Sequence, residues 1–399
     1  MFLWLGMALM MFGRMGSEIG TSQSLGRDDV NAAKGFAQDS SRIALLLGIG
    51  YGALLLIFAG PLVALLQVKE ANVFESTCVY LRIVSVGIPL TYLSAAITGA
   101  FNGAGNSRLS FWANAVGLVV NMALDPLMIL GFGWGVAGAA VATVISQGIV
   151  TLLFVLFAKY HRHRPFERFV LLGKLNRDRI RQIIRWSLPV TVESSVFTLL
   201  AMVVTAMVSA WYGETAVAVQ RVGSQIESLS WLIGGGFSSA VTSFIGQNFG
   251  AKKWSRIHQG YRISIAALLV WEVIVTALLV FGGRFFFSLF LSQPPEILDM
   301  GANYLRILAG CQLFCALEGA CAGVFRGVGR TLPPSLCSIL SNLIRPLLCW
   351  MFASWMGLDG LWMGISVSAA MRGLFMFVWY TFAERKMPTA DGTELVAAS

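Results

Sequence analysis

Eleven apolar stretches, each long enough to cross a lipid bilayer, set the limits on what this chain can fold into. They lie near 1–24, 41–66, 77–102, 109–131, 136–159, 186–211, 216–247, 259–290, 303–326, 335–356 and 361–383. A helix needs about 20 mostly apolar residues to span hydrocarbon. Backbone inside the bilayer must satisfy its own hydrogen bonds, and the alternation of a β-barrel strand is missing, so these stretches predict helices. Composition agrees: 56% of the 399 residues are hydrophobic, 12% are charged, and mean hydropathy is +0.72. Soluble domains carry about 25% charged residues. The chain reads as an all-α polytopic protein of the lipid bilayer.

The net charge of +9 could suggest nucleic acid, but its placement points to membrane topology. If each stretch crosses once and 159–186 is cytoplasmic, loops on that side hold 21 of the 29 lysines and arginines. The opposite loops hold Lys69 beside Glu70, Glu75, Glu296, Asp299 and Asp359. Basic residues concentrate on the cytoplasmic side of membrane proteins, so the C-terminus is expected there. The excess charge is also suited to anionic lipid. The six cysteines lie in apolar spans without C-x-x-C spacing and read as small packing residues. His161, His163 and His258 sit in basic loops; the first two could in principle bind a metal, but a solvated loop is the simpler reading.

The chain also repeats itself. Tyr-Leu-Arg-Ile stands at 80–83 and at 304–307, an offset of 224, and the same offset carries GAFNGAG (99–105) onto GVFRGVG (323–329). Gln23 and Gly26 fall on Gln247 and Gly250. Pro126 and Pro346 follow at 220, which sets Arg345 against Asp125. Matching loops fall on the same basic side, so two parallel copies are expected, a plan in which transporters bind substrate between the halves. The predicted domains are an N-terminal bundle (1–160), a basic linker with an amphipathic helix lying flat on the membrane (161–185), a C-terminal bundle (186–384) and a polar tail (385–399). Subtracting 224 from 186 gives −38, so the first copy lacks one helix and the start of the next. The expectation is an N-terminally shortened form of a six-plus-six, twelve-helix protein. A signal peptide fits poorly, since 1–12 has no charged leader and no cleavage site.

These features resemble the multidrug and toxic compound extrusion (MATE) family. The resemblance rests on Gly246-Gln247-Asn248-Phe249-Gly250-Ala251, on Phe325-Arg326-Gly327-Val328-Gly329-Arg330-Thr331, and on Pro189 with Glu193. It covers nearly the whole chain, although no single motif is decisive. It implies a transporter and no enzyme. H-E-x-x-H, G-x-S-x-G and paired-aspartate signatures are also missing from the spans.

Ionisable residues inside hydrocarbon cost roughly 2.5–3.5 kcal/mol even on the mild scale, so each is a functional candidate. Here they are Arg14, Glu18, Asp125, Glu193, Arg221, Glu227, Glu272, Glu318, Arg345 and Arg372. Asp125 stands out, with Asn121 one turn before it and Pro126 freeing a carbonyl beside it. Such oxygens suit Na⁺ or a proton relay. The resemblance adds Thr143 to this cation-coupling set, although the family's first-helix aspartate has no counterpart here. Glu193, Glu227 and Glu318 are expected to line a substrate cavity, with Arg345 paired to one of them. In another branch of the family a coupling acid stands one turn before Glu318, where this chain has Cys315. Glu272 is expected to snorkel or to meet a neighbouring subunit. Arg82 and Arg306 are expected to anchor the outer interface.

The function these observations imply is cation-coupled antiport. H⁺ or Na⁺ would move in, and small lipophilic organic cations or drugs would move out, by alternating access of two bundles in a monomer that needs no cofactor and no nucleic acid. A lipid-linked saccharide flippase is the alternative, because Arg221 and Arg345 could meet a pyrophosphate; an inactive fragment is another.

Overall fold

The computed structural model describes residues 2–65, 70–160, 166, 169–171, 173–290 and 294–384. His161, His163 and the tail 385–399 lie outside the described residues. In chain order the helices are α1 (Phe2–Gly26), α2 (Val30–Ile57), α3 (Ala59–Ala64), α4 (Ala71–Gly103), α5 (Ser107–Pro126), α6 (Gly135–Tyr160), α7 (Arg177–Gly250), α8 (Trp254–Ser288), α9 (Pro295–Gly327) and α10 (Leu332–Glu384). A short π-helical segment, Leu127–Gly131, follows α5 directly.

Eight segments are long and apolar enough to cross a membrane. Two of them are bent double. Gly213 (φ 79°) divides α7, and Gly357 (φ 63°) divides α10, each in a left-handed conformation that glycine adopts without a Cβ penalty. Counting both arms of each adds two, and the 25-residue α1 adds one more. Eleven crossing segments result among the described residues, matching the eleven apolar stretches. Helix α1 falls short on hydropathy because Arg14 and Glu18 dilute its apolar run.

The chain divides into two compact units, Met1–Thr191 and Val192–Ser399. Each repeats the other at the level of single atoms. A Cβ added to Gly103 would lie 2.6 Å from the carbonyl oxygen of Glu18; one on Gly327 would lie 2.8 Å from that of Thr242. Both partners are displaced by 224. Gly99 likewise presses on the Arg14 carbonyl, and Gly323 on that of Ser238. This is helix contact through small residues, which lets backbones approach in lipid. The turns repeat too: Asp28 (φ 59°) matches Lys252 (φ 55°), and Gly105 matches Gly329, both at φ 78°. One contact is inverted. Gly20 on α1 receives Phe36 of α2, whereas the second unit places Phe244 on α7 against Gly260 of α8. Glycine and phenylalanine have changed places across the same seam.

The register corrects one expectation. Between the left-handed glycines at 105 and 133 in the first unit, and 329 and 357 in the second, the offset stays at 224. No four-residue gap fits, so Arg345 occupies the place of Asn121, and Cys349 that of Asp125. The offset of 220 between the prolines is coincidental.

The expected flat helix is corrected as well. Residues 177–186 are the first turns of α7, continuous with the span that follows. They pack on the first unit: Ile183 is fully buried against Gly16, and the Phe36 and Trp186 rings lie 5.5 Å apart. The backbone preceding α7 is held there by an ionic knot. Asp39, fully buried, accepts from Arg42 Nη1 at 2.8 Å and from Arg179 Nε at 2.6 Å. Arg42 also donates to the carbonyls of Val170, Leu171 and Lys174 at 3.2, 2.8 and 3.0 Å. Phe166, nearly buried, packs with Ala33, Ala37 and Ala100.

Candidate functional site

In the first unit, α5 carries the candidate coupling carboxylate. Asn121 and Asp125 are one turn apart, and Asn121 Nδ2 donates to Asp125 Oδ1 at 3.3 Å. Both are half-buried. Among the described residues no cation lies within ion-pair distance of Asp125, so the amide answers its charge. Thr143 on α6 donates its hydroxyl to the Ala139 carbonyl at 2.9 Å, within its own helix. Its lone pairs stay available, while its proton is committed. A π-helical turn follows Pro126: Phe132 N donates to Leu127 O at 3.0 Å, five residues back.

The second unit holds a denser polar interior. Glu193, at the start of the second unit's portion of α7, accepts from Ser335 Oγ of α10 at 2.7 Å and lies 3.8 Å from Arg326 of α9. Glu318 on α9 forms an ion pair with Arg372 of α10 at 2.7 Å. Glu227, 3% exposed, has neutral partners among the described residues: Tyr304 Oη and Gln312 Nε2 each donate to it at 3.3 Å. The tyrosine is the first letter of the second YLRI motif, so that motif does more than anchor a helix. Its arginine, Arg306, donates to the Val280 carbonyl at 3.4 Å.

Two expectations change here. Arg345 is paired with none of the three glutamates. Its Nε donates to Ser368 Oγ at 2.8 Å, its guanidinium sits 5.5 Å from the centre of the Phe197 ring, and it is 7% exposed. Charge balance fails for it because Glu193 and Glu318 have already taken Arg326 and Arg372. Glu272 faces inward instead of snorkelling: it is 4% exposed, and both its oxygens lie 3.1 Å from Ser230 Oγ. Arg221 is exposed, and Glu18 is buried 3.9 Å from Arg14.

Sequence reading missed Asp39, Ser335, Tyr304 and Gln312. For Asp39 a signal was present, an Asp-x-x-Arg step at the foot of a span with Gly35 one turn before it. A Cβ on Gly35 would lie 2.7 Å from Arg179 Nη1, so glycine makes room for that guanidinium. Hydroxyl and amide partners carry no such mark, because serine and glutamine are common in membrane helices.

Known proteins share this architecture. A family model described as MatE matches residues 1–127 and 189–351, well over half the chain. The probable multidrug resistance protein YpnP of Bacillus subtilis is 26% identical over 373 residues, covering 92% of this chain and 81% of that protein. The probable multidrug resistance protein NorM of Thermotoga maritima is 25% identical over 390 residues, covering 94% and 82%. A solved structure of MATE in complex with MaL6 superimposes with a TM-score of 0.90 at 21% identity, over 96% of this chain and 86% of that one.

Proposed function

Since the chain belongs to the MatE family of membrane transporters, we propose that it exports lipophilic organic cations in exchange for inward movement of H⁺ or Na⁺, its two bundles alternating access. The similarity to proteins named for multidrug resistance supports this substrate class. One observation carries the reading: each unit holds a carboxylate within its spans that no cation among the described residues answers, Asp125 in the first and Glu227 in the second. Charge left unbalanced in hydrocarbon is costly, so such groups favour binding a proton or a cation. Asp125 with Asn121 and Thr143 is the proposed coupling set. Glu193, Glu227 and Glu318, with Arg345, are the proposed substrate-facing groups of the second unit. One elementary charge moving down 100 mV supplies about 2.3 kcal/mol, enough to drive modest accumulation.

The test is ethidium efflux in a host deleted of its major drug pumps. Cells expressing the wild type should retain less dye than the empty host, and Asp125→Asn or Glu227→Gln should restore retention at equal membrane expression. Removing Na⁺, or adding a protonophore, then tells the coupling ions apart. Equal retention in every strain would overturn the proposal. A buried arginine with no carboxylate partner among the described residues, Arg345, favours a second reading, a flippase for lipid-linked saccharides. Accumulation of the lipid-linked sugar in a deletion strain would select that reading.

A further inference from the structure

The first turns of α7 contain four arginines with two different fates. Arg179 turns inward to Asp39, whereas Arg177, Arg181 and Arg185 are all exposed. The three recur every fourth residue, so they stand on one face, each about 40° round from the last and about 12 Å from first to third along the axis. Ile184 and Leu188 continue the same face and are 42% and 50% exposed. Cationic heads therefore pass directly into apolar side chains at the point where the helix enters its hydrophobic span. The helix start adds its own positive end, capped by Asn176 Oδ1, which accepts from Asp178 N and Arg179 N. Asp178, the one acidic side chain in this stretch, lies at the edge of the arc, about 100° from Arg177.

We propose that this face is a binding site for an anionic phospholipid, with phosphate held by Arg177, Arg181 and Arg185 and an acyl chain lying along Ile184 and Leu188. Charge and polarity both match that ligand: guanidinium pairs with phosphate in bidentate fashion, and no soluble anion would use the apolar continuation. The Asp39 knot gives the site its footing. Because Arg179 is tied inward, the face carrying the other three is held at a fixed rotation about the helix axis. The inference goes beyond the transport reading and is independent of which solute is carried.

The test is native mass spectrometry of the full chain in detergent, with phosphatidylglycerol or phosphatidylcholine of equal acyl length added. The wild type should retain phosphatidylglycerol preferentially. Each basic residue near a membrane contributes about fivefold to such binding, so R177Q/R181Q/R185Q should weaken it on the order of a hundredfold. K252Q/K253Q/R256Q removes three exposed charges elsewhere and should leave the preference intact. Should the triple variant not purify, Arg181→Gln alone should lose about fivefold. A preference that survives the α7 substitutions, or that both triple variants abolish equally, overturns the site. So does displacement of the lipid by millimolar inorganic phosphate with no effect of Leu188→Ser, which would assign the face to a free anion.

Discussion

Arg179 meets Asp39 at 2.6 Å across 140 residues of chain, and Asp39 is fully buried beneath it. Arg42 shares the same carboxylate from the other side. Removing one partner from a buried ion pair costs about 3–5 kcal/mol, because the remaining charge is stranded. Here Arg179 keeps partial solvent contact, with a side chain 31% exposed, so the lower end of that range applies. Asp39→Asn should therefore lower the thermal unfolding midpoint in detergent by several degrees and expose the backbone at Val170, Leu171 and Lys174 to protease. An unchanged midpoint and cleavage pattern would show that the knot is decorative.

The inverted contact between the units predicts a compensating pair. Gly20→Phe alone places two phenylalanines where Phe36 already fills the seam, and overpacking of this kind costs about 1–3 kcal/mol or more. Phe36→Gly alone leaves a cavity costing about 3–5 kcal/mol. The double variant G20F/F36G recreates the arrangement of Phe244 with Gly260, so its loss should be smaller than the sum of the two. A double-mutant cycle on thermal midpoints measures this, and strict additivity would mean that the two seams are not equivalent.

How much of this was legible beforehand depends on how far each feature reaches along the chain. Spans declare themselves through local hydropathy, so all eleven could be marked from sequence. The duplication was visible wherever both copies keep the same residue, as in YLRI and G-x-F-x-G-x-G. It was invisible at Gly20 and Phe36, where the contact is kept and the residues are exchanged. Two prolines misled the alignment of Arg345, since nothing in the letters says that the two copies stay in register, without a gap, from the left-handed Gly329 to the left-handed Gly357. Ion pairs were the least legible. Glu193 had several arginines to choose from, and only the packing of α7, α9 and α10 selects Arg326 for it and Arg372 for Glu318.

The Glu318–Arg372 pair makes a contribution to stability that can be measured apart from transport. Both side chains are largely buried, at 18% and 15% exposure, and 2.7 Å apart. Glu318→Gln strands the guanidinium and should destabilise the second unit by about 3 kcal/mol, whereas E318L/R372M removes both charges and should fold nearly as well as wild type. Monodispersity and unfolding temperature in detergent report the difference. If the double variant is as unstable as the single, the pair is part of a larger network and its members cannot be exchanged for apolar groups.

Glu227 offers the sharpest distinction between a structural and a working carboxylate. Tyr304 and Gln312 both present donors to it, so Glu227→Gln keeps one acceptor and turns an amide N–H toward the other donor. Leaving one buried donor unmatched costs about 1–3 kcal/mol, a loss the fold should survive. Tyr304→Phe removes one of the donors while leaving the acid in place. If the carboxyl gains and loses a proton or cation during transport, Glu227→Gln should abolish dye efflux at normal membrane abundance, and Tyr304→Phe should keep most of it. If the carboxyl only ties α7 to α9, the two variants should lose efflux and stability together and to a similar degree.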